Sequence, residues 1–373
     1  MSDSHPLQQT SDSAAGERGV ALVLSLLLLT LLVVLITQFA WTAKVEEKVA
    51  RNARDDLKMV MAARGTLAFV RAHLRADRAD PETARVDSLR EDWAENLNGP
   101  LTVGDVSLDL TVEDCERKLN VNLLANEKTK AFAAGALRRL VLRLLDQLEI
   151  EEEDAEVAER IIDYIDTDKE GDHESGAKNG PLLGPEELYA IRDIPIELLQ
   201  GGVPEDADEE TEPVPGLLEF LTAWGNERLN LNTISNDLLY AVLPDKDAKE
   251  RPINRDDVIE AIEKFRTGGT EDEPAPEPEE GEERPGEDFK RVEDLTRIGG
   301  LTDIFPKQQT GNPSGQNTQQ KPGPLPKELL SVTSQDFLIT VTASREGLTR
   351  RFEALLRRGK DAFYVLMWRE TTP

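Results

Sequence analysis

An uncharged and mostly apolar stretch covers residues 19–43, and it limits the possible folds of this chain more than any other feature. As an α-helix rising about 1.5 Å per residue, such a stretch is long enough to cross a hydrocarbon core of about 30 Å. Only a short polar tail precedes it, and the strongly acidic remainder of the 373 residues follows it. This layout predicts one membrane anchor that carries a large body on one side of the membrane.

A cleaved secretory signal is the alternative explanation of this stretch. Such a signal has a shorter apolar core, a basic tail and a small-residue cleavage site. Here the tail over residues 1–18 is not net basic, which also weakens the positive-inside argument for orientation. Residues 39–44 contain no clean Ala-x-Ala sequence, and Trp41 suits a membrane–water interface. Length and flanks therefore favour an anchor.

The residues after the anchor have the pattern of an amphipathic helix. Over residues 43–74 neither glycine nor proline interrupts the pattern before Gly65. Apolar residues recur at helical spacing with charges between them, at Val45, Val49, Leu57, Val60, Met61, Leu67, Val70 and Leu74. A membrane helix that runs directly into an amphipathic one predicts a single long rod, packed on a domain in its upper half.

Strand patterns occur near both ends of the remaining chain. Residues 101–114 alternate between apolar and polar side chains. Three more strand-like segments occur only far downstream, over 336–343, 350–356 and 362–368. The pattern predicts an α+β fold in which one domain, made of residues 44–116 and 329–373, is interrupted by an insertion over 117–328.

The insertion is predicted to be predominantly helical. Helical apolar spacing is found over residues 129–148, 155–165, 185–199, 216–224, 235–242, 255–265 and 292–298. Two similar phrases, Lys-Leu-Asn-Val-Asn at 118–122 and Arg-Leu-Asn-Leu-Asn-Thr at 228–233, each precede a helix. Asn and Thr are good N-caps, so we expect these phrases to begin helices.

Three segments have the composition of solvated spacers. Residues 203–215 and 271–288 are acidic and rich in proline, and residues 306–326 are rich in Gln, Asn, Pro and Gly. Such segments cannot bury enough apolar surface to offset chain entropy, so we expect disorder. A role in docking is the alternative for the two acidic linkers.

The charge of the chain limits its partners. A net charge of −29 and a pI near 4.6 argue against binding to nucleic acid, whose phosphates require basic patches. The same charge argues against attachment to an anionic lipid surface and is compatible with Ca²⁺. Cys115 is the only cysteine, which excludes an internal disulfide.

The sequence gives no catalytic pattern. It contains no nucleophile elbow, zinc motif or glycine-rich phosphate loop after a strand, and His5, His73 and His173 are far apart. Paired carboxylates carry no catalytic signal in so acidic a chain. We therefore predict that the protein is not an enzyme.

An acidic cluster after the second predicted helix of the insertion is the one segment with site chemistry. Carboxylates at alternate positions before Gly171 can converge on one hard cation, as in EF-hand loops. Ala177 stands where the bidentate Glu of an EF-hand would be, so a true EF-hand is not expected. The candidate ligands are Asp163, Asp166, Asp168, Glu170, Asp172 and Glu174. The alternative is an acidic surface turn.

The N-terminal segment resembles the type IV pilin class. A short leader that ends in Gly19 is followed by Val20 and a long apolar helix. In that class a prepilin peptidase cuts after the glycine and methylates the new N-terminus. Most members have Glu at the fifth mature position, where it pairs with the terminal amine of the subunit above, but this chain has Leu24. The departure is what we expect of a filament tip, because nothing then requires a subunit above it.

Four internal phrases narrow the resemblance. The two phrases at 118–122 and 228–233, with residues 162–168 and 187–191, resemble the family of general secretion pathway protein K. Members of that family are the large minor pseudopilins of the type II secretion system. The resemblance implies a type IV pilin-like fold, with a long N-terminal transmembrane helix, an antiparallel sheet and an inserted helical domain of sterile-alpha-motif-like units.

The resemblance also implies a processing route, a location and partners. Residues 1–19 would be the leader and residues 20–43 the single membrane span in the inner membrane, with the C-terminal body in the periplasm. The implied partners are other minor pseudopilins, the prepilin peptidase, the inner-membrane assembly platform and the secreted substrate. The family binds Ca²⁺ after the same Asp-rich helix end, although Lys178 stands here where the family has a carboxylate.

Two alternatives to this prediction stay open. Residues 293–301 resemble a helix-hairpin-helix turn, and residues 230–239 resemble a repeat of membrane-anchored DNA-uptake receptors. Arg291 and Arg297 could attract a phosphate there, but Glu293, Asp294 and Asp303 surround them. A tip subunit of a type IV pilus is the second alternative, because the same anchor helix and assembly chemistry would serve it.

Overall fold

A computed structural model describes residues 12–79, 85–150, 154–204, 211–247, 249–267, 286–305, 325–360 and 362–371. The α-helices are α1 (Asp12–Ala79), α2 (Asp92–Glu95), α3 (Lys130–Gln147), α4 (Asp154–Ile165), α5 (Ile196–Gln200), α6 (Leu217–Phe220), α7 (Asn236–Val242) and α8 (Arg255–Thr267). The strands are β1 (Gly99–Val103), β2 (Val106–Asp114), β3 (Leu119–Asn120), β4 (Gly201–Gly202), β5 (Val214–Pro215), β6 (Leu221–Thr222), β7 (Leu229–Asn230), β8 (Leu330–Ser331), β9 (Asp336–Arg345), β10 (Leu348–Arg358) and β11 (Phe363–Thr371). Short 3₁₀ helices cover Cys115–Arg117, Val121–Ala125, Pro185–Ala190, Val292–Arg297 and Lys327–Leu329.

The predicted rod is present as one helix. Helix α1 is 68 residues long and passes through Gly65 without a break. From Gly19 onward it has the length and composition of a membrane-spanning helix, and its apolar half makes no packing contact with the rest of the described protein. Its last third is different, because Met59, Ala63 and Val70 are fully buried against the sheet. The anchor and the first core element of the body are therefore continuous.

A five-stranded antiparallel sheet in the order β1-β2-β9-β10-β11 packs on the end of α1. Every second residue of β2 is buried, as its alternation predicts. Strand β2 pairs directly with β9, for example Leu110 with Val341, so strands from distant parts of the chain complete one sheet. Glu346 and Gly347 both have positive φ and form the tight turn between β9 and β10. The α+β class predicted from the sequence is therefore present.

The residues between β2 and β9 form a helical part with its own hydrophobic core. Helices α3 and α4 contribute much of it, with Leu140, Leu144 and Ile161 fully buried. Two pairs of short parallel strands hold this part together, β3 with β6 and β7 with β8. The division of the chain into domains at the predicted boundaries stays a prediction, and the predicted linkers lie largely outside the described residues.

The two Asn-x-Asn phrases build equivalent clamps. Asn122 donates its side-chain amide to the carbonyl of Leu182 and accepts from the same residue's N–H. Asn232 makes the same pair of hydrogen bonds with Phe289. Each amide thus imitates a strand and fixes a chain segment that is far away in sequence. The helical part therefore contains the same asparagine hydrogen-bond arrangement twice.

Some helix predictions were wrong in extent. Residues 185–199 form a 3₁₀ helix and the short α5, not one helix, because Asp193 has positive φ and Pro195 follows it. Residues 216–224 contain only α6, after which the chain turns into β6. The second Asn phrase does not cap α7, whose N-cap is Ser235.

A buried polar network joins the sheet to the helical part, and we call it the seam. Asp114 at the end of β2 accepts hydrogen bonds at Oδ2 from Ser334 Oγ and Thr233 Oγ1, each at 2.6 Å. Asn230 of the helical part donates its amide to the backbone carbonyl of Asp87, whose carboxylate binds Arg358 of β10 through two hydrogen bonds, with both side chains almost fully buried. Because such groups are costly to bury without partners, the seam fixes the orientation of the two parts.

Candidate functional site

The acidic loop begins at the end of α4 and returns to that helix. Asp166 continues the last turn through its N–H bond to the carbonyl of Ile162. The loop closes where the N–H of Asn179, a residue with positive φ, donates to the carbonyl of Tyr164 at 3.0 Å. Asn122 then holds the next segment at Leu182. The loop is therefore fixed at both ends by backbone hydrogen bonds.

Asp163 shapes the loop from within. Its Oδ2 accepts a hydrogen bond from the backbone N–H of His173 at 3.0 Å. Gly171 passes so close to this carboxylate that a Cβ atom there would lie 2.2 Å from Oδ2 of Asp163. The glycine is therefore required by a close approach, and Asp163 acts on the fold of the loop.

Three of the predicted ligands come together in this loop. Asp166, Asp168 and Glu174 each offer a carboxylate oxygen, and these oxygens lie within 4.8 Å of one another. Asp166 is almost fully buried, whereas Asp168 is exposed. The side chains of Glu170 and Asp172 are exposed and do not belong to this group. The alternation in the sequence thus identified the loop but not which of its carboxylates meet.

Four acceptor atoms in this loop have no donor among the described residues. They are Asp166 Oδ1, Asn179 Oδ1 and both carboxylate oxygens of Glu174, and all are buried. A buried acceptor without a partner is costly, and nearly all such atoms in folded proteins are satisfied. Oxygen atoms of carboxylates and amides are the ligands that Ca²⁺ and Mg²⁺ take. The residues present therefore fit a hard divalent cation, and Asn179 is a ligand candidate that the sequence pattern did not identify.

Lys130 binds two of these carboxylates, whereas Lys178 of the same loop has a different partner. Lys130, the first residue of α3, places Nζ 2.8 Å from Oδ2 of Asp166 and 2.5 Å from Oδ2 of Asp168. Burial by itself would lower the pKa of Lys130. Its hydrogen bonds to these two carboxylates raise the pKa by a larger amount, so the net shift is upward. The hydrogen bond from Lys130 lowers the pKa of Asp168. Lys178, the residue that replaces a carboxylate, instead binds Glu187 at 2.6 Å.

The predicted processing and tip residues lie in α1. The helix is continuous through Gly19 and Val20, and Leu24 is exposed one turn further on. Cleavage after Gly19 and a tip role for Leu24 stay predictions.

A second surface lies on the part of α1 that follows the membrane segment. Seven exposed apolar or small residues, four positions apart, form what we call the apolar ridge: Val45, Val49, Ala53, Leu57, Met61, Gly65 and Phe69. Residues at this spacing form the ridges that pack into the grooves of another helix. The upper end of the ridge borders a groove between α1 and β1, lined by Leu97, Leu101 and Val103. The ridge winds around the helix by about 40° per step and stays exposed along its length, while other residues of α1 pack on the sheet.

The arginines of the predicted hairpin turn lie close to carboxylates. Arg291 has Asp294 at 3.8 Å, and Arg297 has Glu287 at 3.9 Å. Arg297 also lies over the ring of Phe265. This arrangement weakens the electrostatic basis for a phosphate site there.

Among the comparisons with known proteins, only the comparison with solved structures gives matches. No family model matches this chain, and no curated protein matches it. Three chains of solved structures match. One belongs to the crystal structure of the GspK-GspI-GspJ complex from the enterotoxigenic Escherichia coli type 2 secretion system, with a TM-score of 0.57 and 16% identity. The match covers 87% of this chain and 99% of that chain. The chain therefore has a pilin-like pseudopilin fold.

Proposed function

We propose that this chain is a minor pseudopilin of a type II secretion system, of the protein K kind, and that it assembles with other minor pseudopilins at the tip of the pseudopilus. The fold likeness to a chain from a three-protein pseudopilin complex supports this proposal. The match includes 87% of the residues of this chain and 99% of those of the other chain. The role is structural and not enzymatic.

The apolar ridge on α1 is the observation that carries the proposal. Leu57 and Met61 are 57% and 59% exposed on a helix that continues directly from the apolar membrane segment. In water such a ridge is unfavourable, whereas packing against the helix of another subunit would bury it. A filament of pilin-like subunits supplies such helices alongside one another. The ridge thus gives the body of the protein a surface for assembly outside the membrane.

Two features of the chain support the proposed tip position. Leu24 has no carboxylate with which to pair upward, so that a subunit above this one gains no such contact. The helical part adds bulk between β2 and β9, and we expect it to obstruct a further subunit and to face the outer-membrane gate or the secreted protein. Leu24→Glu should therefore change the placement of the subunit or be poorly tolerated.

We further propose inner-membrane insertion with the body in the periplasm, removal of residues 1–19 by the prepilin peptidase and delivery through the assembly platform. Mass spectrometry of the chain purified from membranes that contain the peptidase tests the first step. A methylated N-terminus at Val20 is expected, and an intact leader would remove the protein from the pilin pathway.

Assembly is tested by co-purification with the companion minor pseudopilins of the same secretion system. Leu57→Asp with Met61→Asp should abolish co-purification, because each side chain would contribute about 1 kcal/mol or more on burial and the replacements add buried charge. Leu142→Asp is the control, since Leu142 is an exposed apolar residue on α3. All three proteins should melt at similar temperatures. Unchanged co-purification of the double variant would exclude the ridge as the assembly surface.

We also propose that the acidic loop binds Ca²⁺ through Asp166, Asp168, Glu174 and Asn179. The unpartnered buried oxygens support this assignment. Bound Ca²⁺ would supply positive charge and coordination to these oxygens and would hold the loop against α4. Glu174→Gln should reduce calcium affinity and abolish the rise in melting temperature that calcium produces.

A further inference from the structure

A positively charged side chain from α3 already lies against two carboxylates of the acidic loop. The ammonium group of Lys130 binds one oxygen of Asp166 and one of Asp168. We propose that Lys130 is a built-in competitor of the divalent cation, which must leave these carboxylates for the site to be fully coordinated. This inference rests on the proposed calcium site and concerns how tightly that site binds.

The number of available oxygens carries the first step. With Lys130 in place, the unpartnered buried oxygens are one from Asp166, two from Glu174 and one from Asn179. Ca²⁺ takes about 6–8 oxygen ligands. Asp168 cannot contribute freely, because its Oδ2 is held by Lys130 and its Oδ1 by the backbone N–H of Glu170. Release of Lys130 would add Asp168 and the second oxygen of Asp166 to the ligand set.

The charge balance carries the second step. The carboxylates of Asp166, Asp168 and Glu174 attract a divalent ion, and the nearby ammonium group repels it. Between charges a few ångströms apart in a partly buried site, this repulsion is substantial. Lys130 therefore lowers calcium affinity both by occupying ligand atoms and by its charge.

The exchange requires only a side-chain movement. The backbone of Lys130 is fixed by its N–H bond to the carbonyl of Asn126 at 2.8 Å, and the preceding Thr129 is buried and bonds to Leu123. The side chain of Lys130 is 31% exposed, so its ammonium group can turn into solvent without disturbing α3. In the absence of metal, the same group neutralises the buried Asp166. Lys130 thus keeps the loop folded until a cation replaces it.

Lys178 provides a matched control. It lies in the same loop and carries the same charge, but its ammonium group binds Glu187 and not the three clustered carboxylates. Lys130→Met and Lys178→Met each remove one positive charge. Only Lys130→Met removes a group that occupies the proposed ligand atoms.

The test is calorimetric titration of the full-length protein in detergent with calcium chloride, together with melting curves. We expect Lys130→Met to bind Ca²⁺ about tenfold more tightly than the unmodified protein, which corresponds to a gain of about 1.4 kcal/mol in binding free energy. Lys178→Met should stay close to the unmodified protein. Without metal, Lys130→Met should melt at a lower temperature than the unmodified protein, because Asp166 loses its counter-charge. Calcium should remove this difference in melting temperature.

The outcomes separate this inference from the proposed site. If neither the unmodified protein nor Lys130→Met binds Ca²⁺, the proposed calcium site itself is wrong and the inference falls with it. If both bind with equal affinity and Glu174→Gln does not bind, the site stands and Lys130 is not a competitor. Weaker binding by Lys130→Met would also overturn the inference, since Lys130 would then organise the ligands.

Discussion

Glu116→Gln should remove a loss of stability that the unmodified protein suffers at the seam as the pH rises. Glu116 is 1% exposed, and its carboxylate accepts hydrogen bonds from the backbone N–H groups of Gln335 and Asp336. Burial raises its pKa to about 10, and the nearby charge of Asp114 contributes to the rise. Burial also raises the pKa of Asp114. The pair therefore holds at least one proton at neutral pH, and glutamine imitates the protonated form of Glu116 without being able to ionise.

The magnitude follows from the two pKa values of Glu116. In the unfolded chain the ordinary value of 4.5 applies, so the stabilising contribution of the neutral group is complete below that pH and is lost as the pH rises towards about 10. Within this window each rise of one pH unit lowers the free energy of unfolding by up to about 1.4 kcal/mol. Between about pH 5 and pH 7 the unmodified protein should therefore lose up to about 3 kcal/mol relative to Glu116→Gln, less if Asp114 keeps the proton.

Cys115 supplies the assay, because it is the only cysteine and is buried beside Glu116. A thiol reagent reaches it only when the seam opens, so its labelling rate measures local stability. The rate is divided at each pH by that of an unfolded peptide, which corrects for thiolate formation. Protection of Cys115 should fall with pH in the unmodified protein and much less in Glu116→Gln. Parallel pH profiles for the two proteins would refute the assignment of a proton to Glu116.

Two further changes test the seam and the loop. Asp87→Asn should lower the free energy of unfolding by about 3–5 kcal/mol in denaturant titrations, because the buried guanidinium group of Arg358 loses the carboxylate with which it makes two hydrogen bonds. Asp56→Asn, which alters an exposed pair with Arg350, should cost less than about 1 kcal/mol, and equal costs would contradict the role of burial. Gly171→Ala should weaken calcium binding about tenfold or more, since the new Cβ would collide with Asp163. Gly180→Ala meets only an ordinary contact at 3.9 Å and should bind calcium normally, so a loss of binding in both variants would indicate general damage to the loop.

Three connected features explain how this fold could serve a filament. Helix α1 carries the membrane segment, the apolar ridge and the packing surface for the sheet. In the seam, Asn230 and Thr233 of the helical part then bind Asp87 and Asp114 beside the same sheet. Under the proposed function, a neighbouring subunit that packs on the ridge would contact the same helix that carries the sheet.

The proposed cation site shows how far the sequence pattern could be followed. The alternation of Asp166, Asp168 and Glu170 pointed to the loop in which Asp166, Asp168 and Glu174 meet, but gave Glu170 the same weight as Glu174. Glu170 is exposed, whereas the oxygens of Glu174 are buried, because Gly171 and Asp163 turn the chain between them. Neither Lys130 nor Asn179 could be assigned from spacing, since one comes from another helix and the other from the closing turn.

Local periodicity determined the elements of this protein, and tertiary packing determined its sites. The uncharged run after Gly19, the amphipathic continuation and the alternation along β2 each depend on neighbouring residues, so the rod and the strands could be predicted. The seam joins Asp114 to Ser334, and the loop joins Lys130 to Asp166, across long stretches of chain. Such distances depend on how separate elements pack, and the side-chain pattern of any one element does not contain them.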